Sequence, residues 1–526
     1  MAPARDLLLR KGDYIFGSFF KPERVDGYIN SVNPGDRDDV LGRFPFSESS
    51  VDEAVGYAAS GFRTWKRMSL NDRAATLRRF RDGLSRHQER LAHLMTRETG
   101  RPLWETRQEV LATVRAVDLF LDDGIPLLAP RVLEEIGARS DRVPRGVVAI
   151  LTPQSFPLLL PATQVAAAIL AGNAVVFKPS KYCPGSGQAI AEILDGCRLP
   201  RGVFALVQGP GSVVGHRLVA NPGLDAVVFS GSYATAHTIR HTTVGRPELP
   251  MLLHCGGKGN AIVLEDAEID RAVYEVMVSA FLSGGQRHTS TARVFVSDKI
   301  FDRFVEALSK RTAALQVGHG LAQDVFMGPL ISESQRARYR RFGRALAAAG
   351  HIPVIEARPD VPEGWKGFYV RPALYRIAWE NGHAFLDEEP PGPILMLYRV
   401  AGWEEAVSLH NQAAFRGATS VFTQLDNPVL HELRERLRTG TLNINRGTIG
   451  ASLRIASVGL GRAANGLPAG LELLTFLTSP RAQMVESRPF QNVVYLPGTG
   501  WGEDEPTTSG QGASKGAGRA PGSSPT

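Results

Sequence analysis

The feature that most constrains this chain is an alternation that begins at Gly146. Short β-rich apolar runs (GVVAIL, AVVFKPS, VFALVQG, AVVFSGS) are separated by stretches of helical pattern that reach Ala171 and Cys197. Apolar strands without a polar face must be covered on both sides, and helical crossovers between them require a parallel sheet. The pattern predicts a doubly wound α/β domain, with ligands beyond the carboxyl ends of the strands. Thr152, Lys178, Gly209 and Ser230 stand at those ends.

A second alternation starts near Asn260 with NAIVLED, a helix to Gly284, TARVFVS and the helix IFDRFVEALSKR. It runs on through FMGPLIS and SVFTQ to about Gly440 and predicts a second α/β domain. A chain of 526 residues is too long for one core, so two or more domains are expected. From Val51 to about Asp122 the pattern is helical, with Ser49 or Ser50 placed as its cap. The end of the chain, over 497–526, is rich in Gly, Ser and Pro and almost free of large apolar residues. Such a segment cannot offset its ordering entropy, so a disordered tail is expected.

Several function classes fall away on composition. No apolar run approaches the roughly 20 residues that span a bilayer, and the first residues do not read as a signal peptide. Three cysteines, Cys183, Cys197 and Cys255, cannot build a disulfide framework and suit a reducing cytoplasm. The net charge of +7 raises the question of nucleic acid. The arginines are interleaved with acids, however, as in RTWKRMSLNDRAATLRRFRDGLSRHQERL, which reads as a helix with a solvated charged face. Neither nucleic acid nor membrane is an expected partner.

Seven segments resemble, in order and spacing, those of the aldehyde dehydrogenase superfamily. They are VPRGVVAILTPQSFPLLLPATQVAAAILAGNAVVFKPSKYCP, VQGPGSVVGHRL, VVFSGS, HCGGKGNAIV, SGGQRHTSTARVFV, MGPLIS and EEPPGPIL, and the likeness runs from about Tyr28 to Pro489. The wording of AGNAVVFKPS, GQRHT, MGPLIS and NINRGTIGA is similar to succinylglutamate-semialdehyde dehydrogenases. The resemblance implies a Rossmann-type, doubly wound dinucleotide domain (1–125 and 145–256) and an α/β catalytic domain (257–440). It also implies a β oligomerisation arm (126–144 and 471–489). Dimers or tetramers, or a hetero-oligomer with an active paralogue, follow from the same likeness.

Oxidising an aldehyde needs a nucleophile, donors for the oxyanion, and a base that activates water. The family supplies Cys, Asn and Glu. By resemblance, the family's GQxC is GGQRH here, which puts His288 at the nucleophile, and its ELGGK is HCGGK, which puts His254 at the base. The oxyanion Asn of NFP becomes Ser155 in QSFP, and the aromatic residue of EIFGP becomes Pro391. Losing such an oxyanion donor weakens stabilisation by roughly 3 kcal/mol. The closing PFGGxGxSG pattern is eroded between Ser457 and Asn465. Imidazole is a poor substitute for a thiolate here, and a plainer reading has His288 hydrogen-bonded inside a closed pocket. His254 can still act as a base near neutral pH. Cys255 is a candidate surrogate nucleophile, since a neighbouring imidazole lowers a thiol pKa. A His254/Cys255/His288 metal site lacks any short-range ligand spacing, so no metal is expected.

The nucleotide positions are better kept. By resemblance, Lys178 contacts the adenosine ribose, Ser232 caps a helix near the phosphates, and Glu389 holds the nicotinamide ribose. Gly211 and Gly215 open a helix whose N-terminus suits a pyrophosphate. Lys181 stands where the family often has Glu; a cation there favours the 2′-phosphate of NADP over NAD, unless the site is scaffold alone. The reading is a non-catalytic or regulatory homologue that keeps an NAD(P)-binding scaffold and room for a small aldehyde. The alternatives are an active NAD(P)-dependent semialdehyde oxidoreductase with a non-standard nucleophile, or His-assisted hydrolysis in the same pocket.

Overall fold

The computed structural model describes residues 11–378, 383–486 and 496–499. Of the expected disordered tail, all but 497–499 lies outside the described residues. No helix among the described residues is long and apolar enough to cross a membrane.

The helical segment before the first sheet is four helices: Ser49–Trp65, Leu70–Arg86, Gln88–Thr99 and Leu103–Leu119. The arginine-rich stretch read as one helix therefore breaks after Trp65 and again at His87. The first break has a local cause: Ser69 is extended, and its hydroxyl accepts from the Asp72 N–H at 3.2 Å, which starts a new helix. The cap expected at Ser49 or Ser50 is not formed. Both lie inside the helix, and Glu48, at the capping position, makes no side-chain bond to it. Trp65 is buried and donates its indole N–H to the Ile169 carbonyl at 2.9 Å, pinning this layer to the helix Leu159–Ala171.

The first sheet has seven strands, in the spatial order Met251–His254, Ala226–Ser230, Val147–Leu151, Ala174–Lys178, Phe204–Leu206, Asp13–Ile15 and Ser18–Phe20. The central strands are parallel and buried along their length. The chain steps outward from Val147–Leu151 in one direction and returns to its other side at Ala226–Ser230. That reversal opens a crevice at the carboxyl ends of these two strands. The N-terminal hairpin closes the far edge antiparallel, with Tyr14 opposite Leu206.

The second sheet has the order Ile352–Ile355, Ala373–Ile377, Ile394–Val400, Thr291–Ser297, Gly259–Val263, Ala418–Phe422 and Thr441–Ile444. All its pairs are parallel except the Ile352–Ile355 edge. Four residues separate the last strand of the first sheet from Gly259–Val263, so the carboxyl end of one sheet leads directly into the amino end of the other.

The chain packs as two compact units. The larger takes 1–130 and 141–481, with both sheets. In the smaller, Arg131–Leu133 pairs antiparallel with the start of Ala138–Pro144, and the Val485 N–H donates to the Gly137 carbonyl at 3.0 Å. Val132, Ile136, Met484 and Val485 are exposed there. The stretch 471–489, expected to belong to the arm, begins differently. Leu473, Leu474 and Leu477 are buried in the core of the first sheet, because LELLTFL folds as helical turns with an apolar side to cover.

Candidate active site and nucleotide cleft

The crevice at the strand reversal collects most of the predicted nucleotide residues. Thr152 is buried and donates its N–H to the Lys178 carbonyl at 3.4 Å. Lys178 is buried too, its ammonium donating to the carbonyls of Pro179 (2.5 Å) and Gly209 (3.2 Å). Burial, then the Lys181 charge, pushes its pKa down to about 8. An ammonium has three donors, so one remains for a ligand. Gly209 has φ +149° and turns the chain out of its strand into the π-helical turn Gly211–Gly215. A Cβ at Gly211 would meet nothing within 4 Å, whereas one at Gly215 would lie 3.5 Å from the Lys178 stem. At the neighbouring strand end, exposed Ser232 caps the ten-residue helix Tyr233–Thr242 by accepting from the Thr235 N–H at 3.2 Å. A free donor on a buried cation, an open glycine and an exposed helix N-terminus suit an anionic dinucleotide. Lys181 is exposed, its ammonium 5.2 Å from the Tyr182 ring centre.

The residues read as the reaction centre lie where the two sheets meet. His254 ends its strand, and its carbonyl accepts from the Gly231 N–H at 3.0 Å. Its Nε2 lies 3.3 Å from the Leu467 carbonyl, so the proton sits on Nε2, and Nδ1 has no hydrogen-bond partner among the described residues. Burial holds its pKa below the ordinary histidine value. Cys255 gives its N–H to Ala463 (2.7 Å), and its thiol is buried. Burial, then the Glu389 carboxylate, pushes that thiol up to about 11. The imidazole assistance expected for a Cys255 thiolate is therefore not what its surroundings provide.

His288 follows a turn in which Ser283, Gly284 and Gly285 all have positive φ. Its carbonyl accepts from the Lys258 N–H at 3.0 Å. Gly256 passes so close that a Cβ there would lie 2.9 Å from the His288 Cβ. The ring is open to solvent from the cleft and meets Phe156 edge-on, centroids 5.8 Å apart. It has no hydrogen-bond partner among the described residues, so the closed, hydrogen-bonded pocket expected for it is not formed. Protein crowds its other sides; desolvation, then the His254 and Arg287 charges, lowers its pKa to about 4. The ring is neutral at pH 7.

Ser155 is buried, and its hydroxyl has no hydrogen-bond partner among the described residues. With Arg101, Gln154, Ser283 and Gln286 it lines a narrow crevice of about 10 Å³, room for about one water. Pro391 is buried. Glu389 is half-buried; burial raises its pKa, against Lys258, Arg338 and Arg293.

Two features were missed in the sequence. Lys258 is buried at φ +52°, donates to the Gly392 carbonyl at 2.7 Å, and is pushed down to about 7 by burial. The signal was its place after two glycines and directly before a strand with no polar face. The second is an ion network beneath His288: Arg101 with Glu105 (3.2 Å) and Glu109, and Arg287 with Glu105 (2.9 Å). Glu105 and Glu109 stand four apart on one side of the helix Leu103–Leu119, and Arg101 lies just before its first turn.

Two mainly parallel sheets, the first with a crevice at its strand reversal, define an α/β protein with a doubly wound, nucleotide-type domain. The model of the aldehyde dehydrogenase family matches residues 20–482, and the chain belongs to that family. It is 34% identical over 481 residues to the N-succinylglutamate 5-semialdehyde dehydrogenase of Burkholderia thailandensis, covering 89% of this chain and 96% of that protein. Among solved structures it resembles lactaldehyde dehydrogenase from Escherichia coli, with TM-score 0.84, 28% identity, and coverage of 90% and 99%. It also resembles an aldehyde dehydrogenase from Bacillus cereus solved as its NAD+ complex, with TM-score 0.86, 25% identity, and coverage of 91% and 97%.

Proposed function

We propose that this protein keeps the nucleotide cleft of its family but lacks the thiol chemistry, and acts as a non-catalytic or regulatory homologue. The single observation that carries this reading is His288. It stands in the GGQRH segment as a neutral imidazole without a hydrogen-bond partner among the described residues, where the family motif has its cysteine. A bound nicotinamide supplies a hydride acceptor, and hydride leaves readily only from an electron-rich tetrahedral carbon. A neutral imidazole that attacks a carbonyl takes on positive charge, which opposes that departure. Ser155 offers one hydroxyl to the oxyanion in place of an amide, and Nδ1 of His254 has no acyl-enzyme to hydrolyse.

For the nucleotide, Lys178 and Ser232 suit the adenosine ribose and the phosphates, and Glu389 suits the second ribose. Exposed Lys181 favours NADP over NAD. The expected ligand of the other half of the cleft is a small aldehyde, a semialdehyde by the likeness to the Burkholderia enzyme. Association with itself, or with an active paralogue through the exposed apolar strands of the smaller unit, completes the proposal.

The decisive test pairs two measurements. A panel of aldehydes with NAD and NADP should give no reduced-nucleotide absorbance with the natural chain. The double variant His288→Cys, His254→Glu should then oxidise aldehydes. Clear turnover by the natural chain would overturn the reading and favour a non-standard nucleophile.

A further inference from the structure

The helices Leu70–Arg86 and Pro184–Asp195 end at one open cavity of about 720 Å³, lined by Arg79, Asp82, Ser85, Arg86, Gly196 and Arg198. Its volume is in the range of small-molecule sites. It lies away from the nucleotide crevice. The second helix carries the chain from the carboxyl end of Ala174–Lys178 back to the amino end of the parallel strand Phe204–Leu206. Arg79 is fixed in place, its Nε donating to the Cys197 carbonyl at 2.9 Å and its Nη2 to the Thr76 hydroxyl at 2.8 Å. Arg86 and Arg198 are exposed and have no hydrogen-bond or ion-pair partner among the described residues. The one acid of the lining, Asp82, already has the Arg81 Nε at 3.0 Å, so the cavity keeps an excess of positive charge. Arg198 also takes φ +58°, just past the end of its helix, where glycine costs least. Stopping the helix needs no side chain there, and Arg79 already serves the Cys197 carbonyl, so neither task accounts for Arg198.

We propose that this cavity is a binding site for a small molecule carrying a chain of two or three phosphates. A guanidinium meets a phosphate with two parallel N–H groups, and one already held in place loses little entropy in doing so. Arg79 supplies that fixed point, while Arg86 and Arg198 are free to close on the ligand from two other segments. Three arginines around one cavity match an anion of several charges, whereas a lone sulfate could engage them only in part. The site is separate from the crevice at the strand reversal, and it stands whatever chemistry occurs at His288.

The test is calorimetric titration of the full chain with inorganic triphosphate and, at equal ionic strength, with sulfate. Triphosphate should bind roughly 10-fold or more tightly than sulfate, the scale of a charge-assisted hydrogen bond. Its affinity should fall as salt is raised. Arg198→Gly should weaken triphosphate by roughly 10-fold while Tm does not fall, because glycine adopts the positive φ freely. A purely structural arginine would not separate the two readouts in this way. Combining Arg86→Ser with Arg198→Gly should bring triphosphate down to the level of sulfate. Undiminished binding in that double variant would place the anion elsewhere, the nucleotide crevice included, and overturns the inference. No binding by the natural protein, or equal affinity for the two anions, overturns it too. Should the double variant fail to fold, an unchanged affinity in Arg198→Gly alone has the same consequence.

Discussion

The main-chain N–H of Lys258 donates to the carbonyl of His288 at 3.0 Å, while the Lys258 ammonium reaches the Gly392 carbonyl at 2.7 Å. One residue thus ties together three segments of the cleft: its own glycine turn, the His288 loop and the stretch after Glu389. Burial lowers its pKa from 10.5 to about 7. Between those values the unfolded chain binds a proton that the folded protein does not, so stability rises with pH across that window. Below pH 7 both states are protonated and the slope from this group vanishes. Lys258→Met should therefore flatten the rise in urea midpoint between about pH 7.5 and 9.5. An unchanged slope would show that Lys258 titrates normally.

Arg101 neutralises two buried carboxylates, Glu105 and Glu109, and the latter also accepts the N–H groups of Leu158 and Leu159 at 3.0 Å. Removing one partner of a buried ion pair leaves an uncompensated charge, at a cost of roughly 3–5 kcal/mol. Arg101→Met should lose about that much stability in denaturant unfolding. A loss under about 1 kcal/mol would mean that the carboxylates are protonated or hydrated instead.

His288 offers a direct spectroscopic check. Its pKa is lowered from 6.5 to about 4, so its ring proton resonances should stay constant from pH 8 to near pH 5. Between those two pKa values the unfolded chain carries the extra proton, so this group contributes stability that is lost as pH falls from 6.5 through 4. His288→Gln should therefore resist acid slightly better than the natural protein. A midpoint near 6.5 in the NMR titration would contradict the crowding around the ring.

The proposed preference for NADP rests on Lys181, exposed beside Tyr182 and close enough to buried Lys178 to depress its pKa. Lys181→Glu should weaken NADP binding by roughly 10- to 100-fold, the scale of a charge-assisted hydrogen bond, while NAD is favoured. Calorimetric titration of both nucleotides decides it. Equal affinities in both proteins would remove Lys181 from the site.

The sequence by itself determined the sheets. Runs such as VVAIL, AVVFK and AVVFS are apolar up to their last residue, so they must lie in a covered parallel sheet, and the crevice at the strand reversal follows from their order. Family motifs then singled out His288, His254, Ser155, Lys178 and Ser232 by number. Tertiary structure alone decided what those residues touch. Cys255 looks activated beside His254 in the sequence, yet burial pushes its thiol up to about 11. His288 could have been hydrogen-bonded, but after the Ser283–Gly285 turn its ring is exposed, with no hydrogen-bond partner among the described residues. Arg101, Glu105 and Arg287 come together across 182 residues of chain, and Lys258 meets Gly392 across 134. Desolvation and long-range pairing depend on which segments pack together. Local patterns set which face of a strand or helix is apolar, but not which charge will lie beneath it.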